Sequence, residues 1–267
     1  MRMGNAPVRW HLALGVLLVL LALPAAPVPA SARAADESLA AATEHYARGD
    51  LKGARESYLE ALAAEPGRFA VLHRLARVES ELSEDITGEE RRRLVAAAVE
   101  HAREAIKAAP DSAMGHLELA VALGRQALKE GPKTRLSLAR EIKSEVDRAL
   151  AIDPSLGRAW HVRALWNRKL ASLSFFERAA ANTILGGVPK GATMENAVAD
   201  LQKAIELEPH YVNHHLELGR TFLQLKRPDE ARQELERAVA LAPTGSARDP
   251  KYQAEARELL AKLKKKD

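Results

Sequence analysis

The amino-acid sequence predicts an all-α protein, built as a solenoid of about five helix pairs. Three observations support this: one pattern recurs five times, only 4% of the residues are aromatic, and Ala, Leu, Glu and Arg are abundant. In the pattern, an Ala is followed by an aliphatic residue, three further residues and a Pro. The five Pro residues are Pro66, Pro110, Pro154, Pro209 and Pro243, and each is expected to end a helix.

Residues 1–34 have the composition of a secretory signal peptide: a basic start, an apolar run over Leu12–Leu23, then Pro and small residues. Cleavage is expected after Ala34, with Ala32 as the alternative site. A membrane span needs about 20 apolar residues, so the shorter run here makes a retained anchor the second interpretation. Cleavage would leave no stable membrane span, and the protein would be exported, either periplasmic or secreted.

Removing that segment changes the charge of the chain. It takes three of the 40 basic residues and none of the 36 acidic ones, so the remaining 37 and 36 give a net charge of +1. A near-neutral chain argues against a nucleic-acid partner. The chain has no Cys, which excludes disulfides, thiol chemistry and anchoring through an acylated Cys.

The last of the five repeats carries the clearest motif. Leu218-Gly219 places a small residue where two helices cross, Phe222 follows one turn later, and Ala231, Leu235 and Ala238 line the second helix. This resembles the tetratricopeptide repeat (TPR) family, whose period is 34 residues, over about residues 36–244. The predicted solenoid spans residues 35–267, with repeats at about 35–68, 69–112, 113–156, 157–211 and 212–245.

Several repeats are longer than 34 residues, and local signals account for the excess. Thr87 and Glu90 form a capping-box pattern that predicts a helix from Gly88 to about Ala109. The break at Gly131-Pro132 predicts another long helix, from about Lys133 to Asp153. A C-terminal helix over 250–265, with a Lys- and Glu-rich outer face, is expected to cap the solenoid.

The fourth repeat holds an insertion that predicts an extra helix. Ser174 and Glu177 form a capping box, and Gly186-Gly187 is a stop signal. Phe176, Ala180 and Ile184 share one face of this helix, with Phe175 beside them. We expect this face to pack on the edge of the solenoid; the alternative is that Phe175 and Phe176 form a docking surface for a partner.

The arrangement of the insertion resembles the regulator of microtubule dynamics family, over about residues 40–262. The matching segments are Leu173–Arg178, Gly186–Pro189, Ala192-Thr193, Ile205–Pro209 and the final repeat from Leu216 to Leu225. The resemblance implies a helical-repeat adaptor, associated in eukaryotic relatives with microtubules and membrane contacts. With the predicted signal peptide, this chain would be a bacterial-type exported relative.

No pattern in the sequence indicates catalysis. Gly-rich phosphate loops, Cys nucleophiles and Gly-x-Ser-x-Gly motifs are missing, so we expect no enzyme activity and no cofactor. His210, His214 and His215 are the densest group of histidines, but no supporting carboxylate or Cys stands at metal-ligand spacing. They are expected to be solvated or to pack between repeats, with no metal.

The first helices of TPR repeats line a concave groove, and mapping its positions onto this chain selects several cations together with uncharged residues such as Leu117 and Leu216. The predicted groove residues are Arg77, Arg125, Arg158, His161, Arg168, Lys169 and Arg220. Cations outnumber acids among the mapped positions, which favours an acidic segment or a C-terminal carboxylate of another protein as ligand. The alternative is that this is merely a solvated face.

These observations favour a non-enzymatic protein–protein interaction scaffold in the cell envelope. The alternative is an intracellular cytoskeleton or membrane-contact regulator of the microtubule dynamics type.

Overall fold

The computed structural model describes residues 29–184, 187–242, 244 and 246–264, and over these residues the chain forms twelve helices and no strand. The helices are α1 Ala30–Ala47, α2 Leu51–Ala64, α3 Phe69–Leu82, α4 Gly88–Ala108, α5 Ala113–Ala127, α6 Pro132–Ile152, α7 Gly157–Ala171, α8 Phe175–Ile184, α9 Met194–Leu207, α10 Val212–Gln224, α11 Pro228–Ala240 and α12 Asp249–Lys264. Most of the predicted signal segment, together with Gly186 and Pro243, lies outside the described residues.

The helices stack as five pairs, which confirms the predicted solenoid. The pairs are α1/α2, α3/α4, α5/α6, α7/α9 and α10/α11, and each packs on the pair that follows it. The inserted helix α8 stands between α7 and α9 in sequence and lies against α6, whereas α12 covers α10 and α11 as the expected cap.

Short polar side chains begin several of the helices. Asp50 accepts a hydrogen bond from the Gly53 backbone at 2.9 Å, and the Ser174–Glu177 capping box is confirmed, with Ser174 N–H donating to Glu177 at 2.8 Å. The predicted box at Thr87 is wrong. Thr87 makes no capping bond, although α4 begins at Gly88 as predicted. The φ of Gly88 is +68°, a conformation that Gly adopts without strain.

Small residues allow close helix packing throughout the core. Gly219, which was predicted to lie at a helix crossing, is buried, as are Ala164 and Ala197. A Cβ atom added at Gly219 would come within 2.8 Å of the Leu235 side chain, so only Gly fits where α10 meets α11. The repeat register read from the sequence is therefore confirmed at this crossing.

A second device ties the first helix of three repeats to the loop before it. In each of these repeats, the side chain six residues after the loop Pro has a ring nitrogen within hydrogen-bond distance of the carbonyl oxygen of that Pro. The nitrogen-to-oxygen distance is 2.8 Å for Trp160, 3.1 Å for His215 and 3.2 Å for His116. This bond satisfies a loop carbonyl that the helix cannot reach. It fixes how the chain turns from one repeat into the next.

Candidate partner-binding surfaces

The five arginines of the predicted groove are paired with carboxylates of the same repeat, of a neighbouring repeat or of the capping helix. Arg158 donates to Glu118 at 2.9 Å, and Arg77 donates to Glu81 at 2.9 Å while stacking on the Tyr46 ring. The remaining pairs are Arg125 with Glu84, Arg168 with Glu217, and Arg220 with both Glu217 and Glu255. Each guanidinium therefore already has an anionic partner within the chain.

These pairs correct the expectation of a cationic groove, because carboxylates lie beside the cations. Glu118 and Glu217 are buried on the first helices of their own repeats, beside the groove positions Leu117 and Leu216. Their presence on the concave side was readable from the sequence, since each immediately follows a mapped position. Glu84 and Glu255 lie at a turn and on the capping helix, outside the mapped helices.

Two of the paired cations, Arg77 and Arg158, nevertheless influence each other electrostatically. Burial alone would lower the pKa of Arg77, but the nearby carboxylates outweigh it and raise that pKa. The charge of Arg77 also acts on Arg158, whose pKa is raised by Glu118 against the effect of burial. The structure thus brings cations of α3 and α7 to one surface, although it neutralises them there.

His161 is not exposed to a partner. Its Nδ1 lies 2.9 Å from Nδ1 of His214, and Nε2 of His214 lies 3.1 Å from Glu208. Burial lowers the pKa of His161 well below its ordinary value, and the charges of His214 and Arg168 lower it further. His161 is therefore a packing residue between repeats four and five, which removes it from the predicted binding set.

The inserted helix presents its aromatic residues to solvent, so the expectation that Phe176 packs on the solenoid is wrong. Phe175 is 79% exposed and Phe176 is 81% exposed, and their rings meet edge to face at 5.7 Å. Ala180 is exposed as well, and the helix contributes Ala181 to the interior instead. The side chain of Ile184 lies outside the described residues.

Several polar contacts hold α8 in place despite its small buried face. Arg178 donates to the Leu170 carbonyl at 3.0 Å, Gly187 N–H donates to the Ala181 carbonyl at 3.0 Å, and Arg140 donates to the Gly187 carbonyl at 2.7 Å. Lys169, one of the predicted groove cations, lies on this side, where its charge adds to the capping hydrogen bonds in lowering the pKa of Glu177. The aromatic pair is therefore carried by a fixed helix.

Sequence reasoning missed one further charged residue, Arg248, which precedes the capping helix. It is buried and pairs with Glu84 and Asp85 at the end of α3, 164 and 163 residues away. No local pattern could have indicated this contact.

The described residues contain no cluster of three or more His, Cys, Asp or Glu side chains that could hold a metal ion. His214 and His215 are both buried between repeats, and His215 lies 2.8 Å from Glu234. In the part of the chain that the structure describes, no helix has the length and apolar character to cross a membrane.

Solved structures with similar folds are TPR proteins and pilus factors. A thermophilic TPR protein from Thermus thermophilus superposes with a TM-score of 0.65 at 20% identity, covering 86% of this chain and 98% of that one. PilW, a type IV pilus biogenesis factor, superposes with a TM-score of 0.52 at 18% identity, covering 86% and 91%. At these identities the similarity shows the fold alone, a TPR solenoid.

Sequence comparison identifies the family. Regulator of microtubule dynamics protein 1 of Caenorhabditis elegans is 30% identical over 192 residues, which is 72% of this chain and 84% of that protein. Protein 1 of Mus musculus is 27% identical over 242 residues, 90% of this chain and 78% of that protein. The family model described as regulator of microtubule dynamics protein 1-3 matches residues 34–264. This chain belongs to the regulator of microtubule dynamics family.

Proposed function

We propose that this protein is a non-enzymatic adaptor that recognises another protein through the aromatic pair Phe175–Phe176 on α8. One observation carries the proposal: two adjacent Phe side chains are about four-fifths exposed on a helix that is fixed by a capping box and by bonds to α6 and α7. Only 4% of the residues of this chain are aromatic, so two adjacent Phe side chains that both face solvent are uncommon. Aromatic side chains are also the usual anchors of protein interfaces.

The surroundings of the pair suggest the chemistry of the partner. The capping hydrogen bonds lower the pKa of Glu177, and the charges of Lys169 and Arg135 lower it further. Since Glu177 directly follows Phe176, the aromatic pair has cations at its border. The complementary partner surface is an apolar pocket with acidic residues at its rim. Burying each Phe side chain would contribute about 1.5–3 kcal/mol before the costs of association.

The test combines a double substitution with a matched control. Phe175→Ser with Phe176→Ser should abolish binding of the native partner while the melting temperature stays unchanged, because neither side chain is buried. Leu128→Ser is the control, since Leu128 is another large apolar side chain that is mostly exposed, at 57%, and it should retain binding.

Site-specific photo-crosslinking makes the assay direct. A crosslinker at position 176 should capture the same protein that the double variant loses, whereas one at position 128 should not. Equal capture by the parent and the double variant would remove α8 as the recognition surface. Binding of an acidic segment in the groove, through Arg77, Arg125, Arg158, Arg168 and Arg220, would then be the remaining proposal.

Two cellular roles are proposed for this adaptor. Membership of the regulator of microtubule dynamics family favours the intracellular role, as a cytoskeleton or membrane-contact regulator. The signal-like residues 1–34 favour the other role, an exported scaffold in the cell envelope. The N-terminal residue of the natural protein separates them: a start at Ala35 in an exported fraction supports the scaffold, and an uncut N-terminus in the cytosol supports the regulator.

A further inference from the structure

The segment just before the capping helix contacts the turn that follows α3. We define residues 246–251 as the C-terminal strap; it comprises the turn after α11 and the start of α12. Arg248 of the strap lies 2.6 Å from Glu84 and also pairs with Asp85, and Lys251 lies 2.7 Å from Asp85. Glu84 and Asp85 follow α3 directly, and we call them the acidic turn.

The strap lies among groove residues. Glu84 also pairs with Arg125, one of the predicted groove cations. The charges of Glu84, Arg125 and Glu81 all act on Tyr252, directly after the strap, and Ala247 packs against the core cluster of the first two repeats. A TPR partner segment binds in this concave region, so the strap occupies the place of a ligand.

The repeat architecture alone does not require this contact. Each repeat of a solenoid packs on its neighbours, yet the strap joins the capping helix to the second repeat. Arg248 is only 4% exposed, but its Nε has no hydrogen-bond partner in the protein. The charge pairs with the acidic turn therefore use the two terminal nitrogens of this guanidinium and leave the third nitrogen unpaired.

We propose that the acidic turn is a recognition site for a basic protein segment, and that the strap fills this site as an internal ligand. The external ligand is a segment of another protein with an Arg and a Lys three residues apart, like Arg248 and Lys251. Such a ligand has the opposite charge to the acidic segment expected from the sequence. The site involves no residue of α8, and its test is independent of the aromatic pair.

Tethering predicts how the internal and external ligands compete. A segment on the same chain has an effective concentration in the millimolar range, so a free peptide competes poorly until the internal ligand is weakened. The probe is a labelled synthetic peptide with the sequence of residues 243–254. It should bind at least tenfold more tightly to the full chain carrying Arg248→Gln and Lys251→Gln than to the parent.

Two controls identify the site. Adding Glu84→Gln and Asp85→Asn to the double variant should abolish peptide binding, and a peptide with Gln in place of its Arg and Lys should not bind. Binding should also weaken as salt rises, since partly exposed charges are screened over about 8 Å at physiological ionic strength. Equal affinity for the parent and the folded double variant would overturn the proposal, as would no binding to that variant.

The unsubstituted chain supplies a second measurement if the double variant does not fold. Millimolar peptide should raise amide hydrogen exchange in residues 246–252 severalfold, because the strap is displaced. Unchanged exchange there under the same conditions would equally overturn the proposal.

Discussion

The contact between His161 and His214 shows how two buried histidines can make a helical repeat sensitive to pH. Their Nδ1 atoms are 2.9 Å apart, so Nδ1 of one ring must donate the hydrogen bond and Nδ1 of the other must accept it. The two rings therefore cannot both be protonated at the same time. Burial lowers the pKa of each ring, and for His214 the carboxylate of Glu208 opposes that shift. Arg158, Arg168 and Arg125 add positive charge around His161.

The sign of the resulting pH effect follows from linkage. Both histidines have a pKa below 6.5 in the folded chain, so the unfolded chain binds more protons as the pH falls through 6.5. The folded state should therefore lose stability between about pH 7 and pH 5. Thermal melts across this range should show the loss, and His161→Asn should reduce it. An identical pH slope in the variant would contradict the assignment.

Trp160 gives a second prediction at this scale. Its ring nitrogen donates to the Pro154 carbonyl at 2.8 Å, and its face lies against Arg163. Trp160→Phe keeps an aromatic face but removes the donor, at a cost of about 1 kcal/mol, or a fall of about 2–4 °C in melting temperature. This hydrogen bond depends on the loop geometry, so no local sequence pattern predicts it. A melting temperature equal to that of the parent would show that the bond contributes nothing.

At the scale of the helices, two glycines of different surroundings test the packing. Gly219→Ala should destabilise the protein by about 1–3 kcal/mol, because the added Cβ meets Leu235 at 2.8 Å. Gly124→Ala, also within a helix, should be neutral or stabilising by up to about 1 kcal/mol, because nothing lies within 4 Å of the added atom. Chemical denaturation measures both, and effects of the same sign would contradict the packing described for α10 and α11.

Helix α8 shows the limit of periodicity. The recurrence of Phe176, Ala180 and Ile184 correctly predicted a helix between the Ser174 box and Gly187, because capping and stop signals are local. Periodicity states which residues share a face but not which face is covered, and here Ala181 is the buried residue. Phe176→Ala should consequently change stability by no more than about 0.5 kcal/mol, rather than the 3–5 kcal/mol of a core truncation.

At the scale of the whole molecule, the charge pairs along the concave side join repeats four and five. From the sequence, Arg168→Glu with Arg220→Glu would be expected to affect partner binding alone. The structure predicts otherwise, because Arg168 bonds Glu217 and the Glu217 carbonyl, while Arg220 bonds Glu217 and Glu255. The double reversal would place the new carboxylates at positions 168 and 220 beside those of Glu217 and Glu255. Because these four negative charges repel one another, we expect a loss of about 3–5 kcal/mol in the free energy of unfolding.

The matched control is Arg93→Glu, since the Arg93 side chain is mostly exposed and lies at 3.8 Å from an exposed Glu89. Its effect should be within about 1 kcal/mol. A double reversal that melts with the parent would show that the concave pairs do not stabilise the fold.

The sequence predicts the solenoid well and its interior charge pattern poorly, for one physical reason. Helix boundaries follow from Pro, Gly and capping residues close in sequence. Pairs such as Arg125 with Glu84, or Arg248 with Asp85, depend on how far each repeat rotates relative to the one before it. That rotation is the sum of many packing contacts, which no single motif encodes.

The long-range pair between Arg248 and the acidic turn has a consequence for how such a chain can evolve. An open solenoid can gain or lose a repeat at little cost, since each unit contacts only its neighbours. Here the rise and rotation of the intervening repeats set the distance between α3 and α12. A duplicated or deleted repeat would carry Arg248 away from Glu84 and Asp85 and leave its buried guanidinium without a carboxylate partner. The contact therefore fixes the number of repeats that lie between the two ends it joins.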